Sequence, residues 1–281
     1  MAAFDVTAEL PNGAPTLVRH VKSYTLVPIS QGGGVIPRDS EPTRRRLIAT
    51  AERLFAERGI GAVSMREINV AAEQHNASAL HYHFGSREGL LQAVLSQHVD
   101  AIRDRRLALL AELRAEGVPD LRTATRVLVE PPAEPLRAGR SGRAFLRILP
   151  QVLTDPTIGG DLVHVLFDQA RQDGYELLTP YLSWLPTPVL RERIDIAQLQ
   201  ATHAVAARAH VTDQSGTAPS AASHALFVAT LCDMFVGSVT GPVSAETIEA
   251  LAAAEAEGAT GTFAELTEAG GRKKRKEQDV A

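Results

Sequence analysis

The chain has 281 residues, a formal net charge of -4, 44% hydrophobic residues and 22% charged residues. That much apolar material builds a substantial core and more than one domain, and the slight acidity excludes a uniformly basic nucleic-acid coat without excluding a local basic face. A single cysteine, Cys232, excludes an intramolecular disulfide framework, and the most apolar run, HALFVATLCDMFVGSV, is broken by Asp233 and falls short of the ~18 apolar residues of a membrane span. The expectation is a soluble cytoplasmic protein.

Residues 1–38 combine prolines and glycines with little helical period, which predicts a disordered extension; Val35, after three glycines, is an alternative start of translation. A first helix follows, because Leu47, Ile48, Ala51, Leu54 and Phe55 recur as one apolar stripe at helical period, and Gly59 stops it. Thr43 is positioned to cap its start, which would gather Arg44, Arg45 and Arg46 at a helix N-terminus where a phosphate is welcome. Ser64 and Glu67 form an S-x-x-E capping box that opens a second helix burying Ile68 and Ala71. After a turn at residues 73–75, the segment 76–84 makes a third helix whose back is Ala77, Leu80 and Phe84. Its front then carries Ser78, Ala79 and Tyr82, flanked by His81 and His83, and Ser86 caps the next helix with Arg87 in its first turn. Two helices joined by a short turn, the second apolar behind and polar in front, form a helix-turn-helix suited to the major groove. His81 and His83 point about 200° apart on a helix and so cannot share a metal ion.

The run Arg45, Ile48, Ala51, Leu54, Phe55 and Gly59, the Met65 to Ile68 helix start and the close LHYHFGSREGLL from Leu80 together resemble the DNA-binding domain of the TetR (tetracycline repressor-like) family of bacterial regulators. The resemblance covers about fifty residues. It implies DNA contacts from Thr43, Arg44, Arg45, Ser64, Arg66, His75, Asn76, Ser78, Ala79, His81, Tyr82, His83 and Arg87. Two departures stand out: Asn69 where the family has a small residue, and Glu73-Gln74-His75 where it has a shorter turn with glycine. A residue other than glycine in a left-handed turn costs roughly 1 kcal/mol, so the fold tolerates it.

Beyond residue 91 the sequence reads as helices only: one long helix from Leu90 to Ala115 ended by Gly117 and Pro119, then helices near 120–130, 140–153, 160–180, 187–211, 221–239 and 244–257. Pro131, Pro132, Pro135, Gly139 and Gly142 predict a loop, and Asp155-Pro156 a turn. The fold class is all-α, with a helix-turn-helix domain at 39–91, a larger helical domain at 92–262 and a flexible tail at 263–281 holding the basic run 272–276. The resemblance further implies a homodimer through helices near 188–211 and 220–239, a double-stranded DNA operator, and a small-molecule effector. Candidates for the effector cavity are Phe145, Leu149, His164, Phe167, Arg171, Tyr175, Trp184 and His203. No phosphate loop, G-x-S-x-G elbow, H-E-x-x-H or cysteine pair is present, so the expectation is a repressor with no cofactor or metal; an enzyme of unrecognised motif and a helical adaptor are the contrasting classes.

Overall fold

The computed structural model describes residues 40–74, 78–116, 120–154 and 172–258, all helix, turn or coil without a strand among them. The N-terminal extension, the Asp155-Pro156 turn and the basic tail lie outside the described residues. The first helix, α1 (Ser40–Arg58), buries Leu47, Ile48, Ala51, Leu54 and Phe55 as its stripe requires. It already includes Ser40, so Thr43 sits inside the helix and does not cap it, and the three arginines lie beyond the first unpaired N–H groups. A second helix, α2 (Met65–Ala71), buries Ile68 but leaves Ala71 exposed; Ala72, just past its end, takes the inward position at 1% exposure. The third, α3 (Ala79–Phe84), is one and a half turns long.

The long helix α4 (Arg87–Glu116) leaves this head and enters the second domain. Its first turns give Leu90, Leu91, Val94 and Leu95 to the same apolar core that runs on to Val239, so the head does not have a core of its own. Helix α5 (Leu121–Ala133) starts on Asp120, whose carboxylate accepts from Thr123 N at 2.7 Å. The expected proline loop is instead helical. Pro131 and Pro132 occupy the last turn of α5, Pro135 lies in a 3-10 turn (Glu134–Arg137), and α6 (Gly139–Thr154) begins at once. Proline fixes φ near the helical value but has no N–H to donate, so the pair removes two hydrogen bonds from the end of α5, and the chain passes directly into the 3-10 turn. Gly142 is what lets the 3-10 turn lie on α6: a Cβ there would stand 2.3 Å from the Pro135 carbonyl oxygen.

After the helical residues 172–178 (α7) and a 3-10 turn (Thr179–Tyr181), two long helices follow, α8 (Thr187–Ser215) and α9 (Ala221–Thr240), and then α10 (Ala245–Ala256). Helix α6 is central, packing on α1 on one side and α8 on the other, while α9 packs on α5 and α8. Asp213 of α8 accepts from Arg143 of α6 at 2.5 Å. Cys232 is buried with Leu231 and Phe235, as its neighbours predict, and burial pushes its thiol up to about 11. Helix α9 differs from expectation in one respect. An 18-residue window tolerates Asp233, and by length and composition α9 is apolar enough to cross a membrane, although Arg122 of α5 pairs with Asp233 at 2.9 Å.

The C-terminal end of α9 is closed by a side chain from α8. Arg193 donates to the carbonyls of Val239 at 3.3 Å, Gly241 at 2.5 Å and Pro242 at 2.9 Å. Hydrogen bonds from a charged donor contribute about 1.5–3 kcal/mol. Arg193→Met should therefore lower unfolding free energy by about that amount in a urea titration; an unchanged midpoint would show that solvent caps α9 equally well.

Candidate DNA-binding surface

The surface is built on two local devices. Ser64 Oγ accepts from Glu67 N at 3.2 Å while Ser64 N donates to Glu67 Oε2 at 2.8 Å, a reciprocal capping box that fixes the start of α2. Arg58 donates to Glu67 Oε1 at 2.8 Å, tying α1 to α2. Hydrogen bonds from the Ser64 backbone and hydroxyl, and then Arg58, draw the Glu67 carboxyl down to about 2. The second device is the turn. Glu73 adopts φ +55°, the left-handed position where the family carries glycine. Glu73 N donates to Val70 O at 3.0 Å and Gln74 N to Asn69 O at 2.9 Å, closing α2.

Beyond this turn, α3 sits with Leu80 buried and Ser78, His81 and Tyr82 exposed, Tyr82 at 67%. The Tyr82 ring meets His83 edge-on at 5.1 Å, and Arg44 of α1 lies over the Phe84 ring at 5.4 Å. Burial lowers the His83 pKa below the ordinary histidine value and Arg44 adds to the effect, with Glu41 opposing it. An open groove of about 610 Å³ runs between α2, α3 and the start of α4, lined among others by Arg66, Asn69, Val70, Gln74 and His81. Val70 is 70% exposed there. An apolar residue held in water beside polar donors is a feature the sequence reading missed; such a side chain suits a thymine methyl.

Two expected DNA contacts are reassigned by the structure. Ala79 is 7% exposed and faces the core beside Leu80. Arg87 turns inward: its guanidinium donates to Val63 O at 2.5 Å and to Ile60 O, and lies over the Phe55 ring at 5.6 Å. It braces the α1–α2 loop against α4. Arg44, Arg45, Ser64, Arg66, Ser78, His81, Tyr82 and His83 stand around the α2–α3 face, Arg45 also pairing with Glu41 at 3.2 Å and Ser64 serving as the cap. Thr43 is half-buried in α1; His75 and Asn76 lie outside the described residues.

Residues 47–94 match the family model described as bacterial regulatory proteins, tetR family. The match is confined to the head and the start of α4. No curated protein matches it. Among solved structures it is similar to Mycobacterium smegmatis AmtR, with 20% identity over 77% of this chain and 94% of that one at a TM-score of 0.45. It is also similar to a gamma-butyrolactone receptor (ArpA-like protein), with 21% identity over 70% and 97% at a TM-score of 0.41.

The head meets the second domain through a buried polar cluster. Glu52 of α1 is 4% exposed; His98 Nε2 of α4 lies 2.6 Å from its Oε1, and Ser141 of α6 donates to Oε2 at 2.5 Å. The His98 ring stacks on Phe145 at 4.6 Å. Nearby, Ile60 N donates to Gln151 Oε1 of α6 at 2.8 Å. Phe145 thus belongs to this seam. Of the other effector candidates, Leu149 and Tyr175 are buried, Tyr175 donating to Asp195 at 2.6 Å. Trp184 at 56% exposure and His203, exposed on α8, cannot line an interior cavity: Trp184 follows a 3-10 turn at the surface and His203 falls on the outer face of its helix. His164, Phe167 and Arg171 lie outside the described residues.

The turn offers a direct test. Because Glu73 holds a left-handed angle, Glu73→Gly should leave stability unchanged or raise it by up to about 1 kcal/mol in thermal unfolding. A loss of stability would mean that the Glu73 side chain, not the backbone angle, is what matters at this position.

Proposed function

We propose that the protein is a ligand-responsive repressor that binds a palindromic operator as a homodimer and is released by a small-molecule inducer in the cytoplasm. The observation that carries the DNA reading is the α3 front, where Ser78, His81 and Tyr82 are exposed beside Arg44 and Arg66. Ser78, with Asn76, reads base edges; Arg44, Arg45, Arg66, His81, Tyr82 and His83 hold phosphates. The reading domain is 39–91 and the effector and dimerisation domain 92–262. Dimerisation through α8 and α9 is supported by the side chains they leave in water: Ile196 and Val211 on α8, Leu226 and Met234 on α9, all at least 45% exposed. Two heads one DNA turn apart, ~34–36 Å, suit a palindrome. The effector cavity lies among the middle helices near Leu149 and Tyr175.

The test is fluorescence anisotropy on the DNA upstream of the protein's own gene, at about 50 and 200 mM salt against random competitor. Specific binding that weakens at least about tenfold between the two is expected, with Tyr82→Ala and Arg44→Ala weakening it at unchanged thermal stability. Leu226→Glu should give a monomer with weak operator affinity. A folded dimer that binds no DNA at low salt would sink the reading and favour an adaptor.

The α6 seam is the proposed route from effector to heads. A ligand that prefers one α6 position by ~1–3 kcal/mol shifts operator affinity about five- to 150-fold. Gln151→Leu leaves the Ile60 N–H buried without its acceptor and Ser141→Ala removes one donor from Glu52. Both should change operator affinity although neither touches the DNA face. Equal affinity in the double variant would show that the seam does not set the heads.

A further inference from the structure

A second groove, of about 480 Å³, lies between α5 and α9. Its size falls within the roughly 300–1,000 Å³ of small-molecule sites. The floor is apolar, made by Val228, Ala229 and the buried Cys232; the rim carries Arg122, Arg126, Arg137 and His224 together with the carboxylates Glu130 and Glu134. These cations are not equally occupied. Arg122 is held by Asp233 at 2.9 Å and Arg126 by Glu130 at 2.9 Å, while Arg105 binds the other Glu130 oxygen at 3.0 Å and Glu134 at 2.8 Å. Arg137 meets no carboxylate among the described residues, and Arg208, which also bears on His224, donates only to the Ser223 hydroxyl at 2.7 Å and lies over Phe227.

His224 sits between these two arginines. Its Nδ1 is buried with no hydrogen-bond partner, an unfavourable arrangement that a ligand donor or acceptor would complete. Burial lowers the His224 pKa and Arg137 and Arg208 lower it further, with Glu134 and Glu130 opposing. An incoming anion would pair with Arg137, whose charge no carboxylate answers among the described residues. Inorganic phosphate would satisfy the rim and leave the apolar floor in water, whereas an acid with a short hydrocarbon body covers both.

We propose that the α5–α9 groove binds a small organic acid, its carboxylate on Arg137 and His224 and its apolar body on Val228, Ala229 and Cys232. The site includes neither Leu149 nor Tyr175 and is independent of the DNA-binding reading.

Calorimetric titration of the purified full chain with hexanoate, hexanol and inorganic phosphate tests it without DNA, so its outcome is distinct from that of the operator experiment. Hexanoate should bind at one site per chain, about tenfold or more tighter than hexanol, and phosphate should not compete. Arg137→Gln, at an exposed position, should lose most of the acid's advantage and Arg137→Lys should keep part of it. Ala229→Trp, which fills the floor without touching the charges, should abolish binding of both acid and alcohol, with circular dichroism confirming the helical fold. Equal affinity for acid and alcohol, phosphate as tight as hexanoate, or full hexanoate affinity in Arg137→Gln would each overturn the proposal.

Discussion

The buried carboxylate of Glu52 is the constraint on which the arrangement of the two domains depends. A charge with 4% exposure is tolerated only where its oxygens are answered, and here the answers come from two other helices, His98 on α4 and Ser141 on α6. The cluster therefore does more than hold α1. It specifies one register of α1 against α4 and α6, because sliding any of the three by a turn would strand the carboxylate. Phe145 stacked on His98 and the Gln151 bond to Ile60 N extend the same seam along α6. Apolar packing alone, which is non-directional, would permit several registers; the polar contacts select one.

The head uses its arginines in two different ways, and the division follows from geometry. Arg87 lies at the start of α4, where the α1–α2 loop turns its carbonyls inward, so its guanidinium has acceptors within reach and becomes a brace. Arg44 lies on the outer side of α1 over Phe84 and has no carboxylate among the described residues, which leaves its donors for a phosphate. The same amino acid in one fifty-residue domain is structural where carbonyls converge and available where they do not.

Much of the fold was legible because it rests on short-range rules. The α1 stripe, the Ser64–Glu67 box and the all-helical remainder follow from period and capping, and the left-handed turn residue at Glu73 follows from the missing glycine. What was not legible required knowing which carbonyls or carboxylates a side chain would meet. Ala71 and Ala72 are indistinguishable to a periodicity argument; only the way α2 ends puts Ala72 inside. Arg87 reads as a phosphate ligand until its partners are known. Ser141 and Gln151 carry no signal at all, being isolated polar residues on a helix whose other face is apolar. The proline loop followed from a breaker signal that packing overrides here, since Pro131 and Pro135 are buried.

The net acidity of the chain is compatible with the proposed DNA contact once the charges of residues 40–91 are paired off. That stretch holds seven arginines against six glutamates. Glu41, Glu57 and Glu67 are taken by Arg45, Arg53 and Arg58, and Glu52 is buried against His98. The paired charges lie along α1 and its junction with α2, where their fields largely cancel. Arg44, Arg46 and Arg66 remain outside these pairs, as do Glu73 and Glu88, so the head offers a few single unpaired arginines rather than a uniformly basic face. Contact with phosphate then depends on where those few arginines stand and not on net charge.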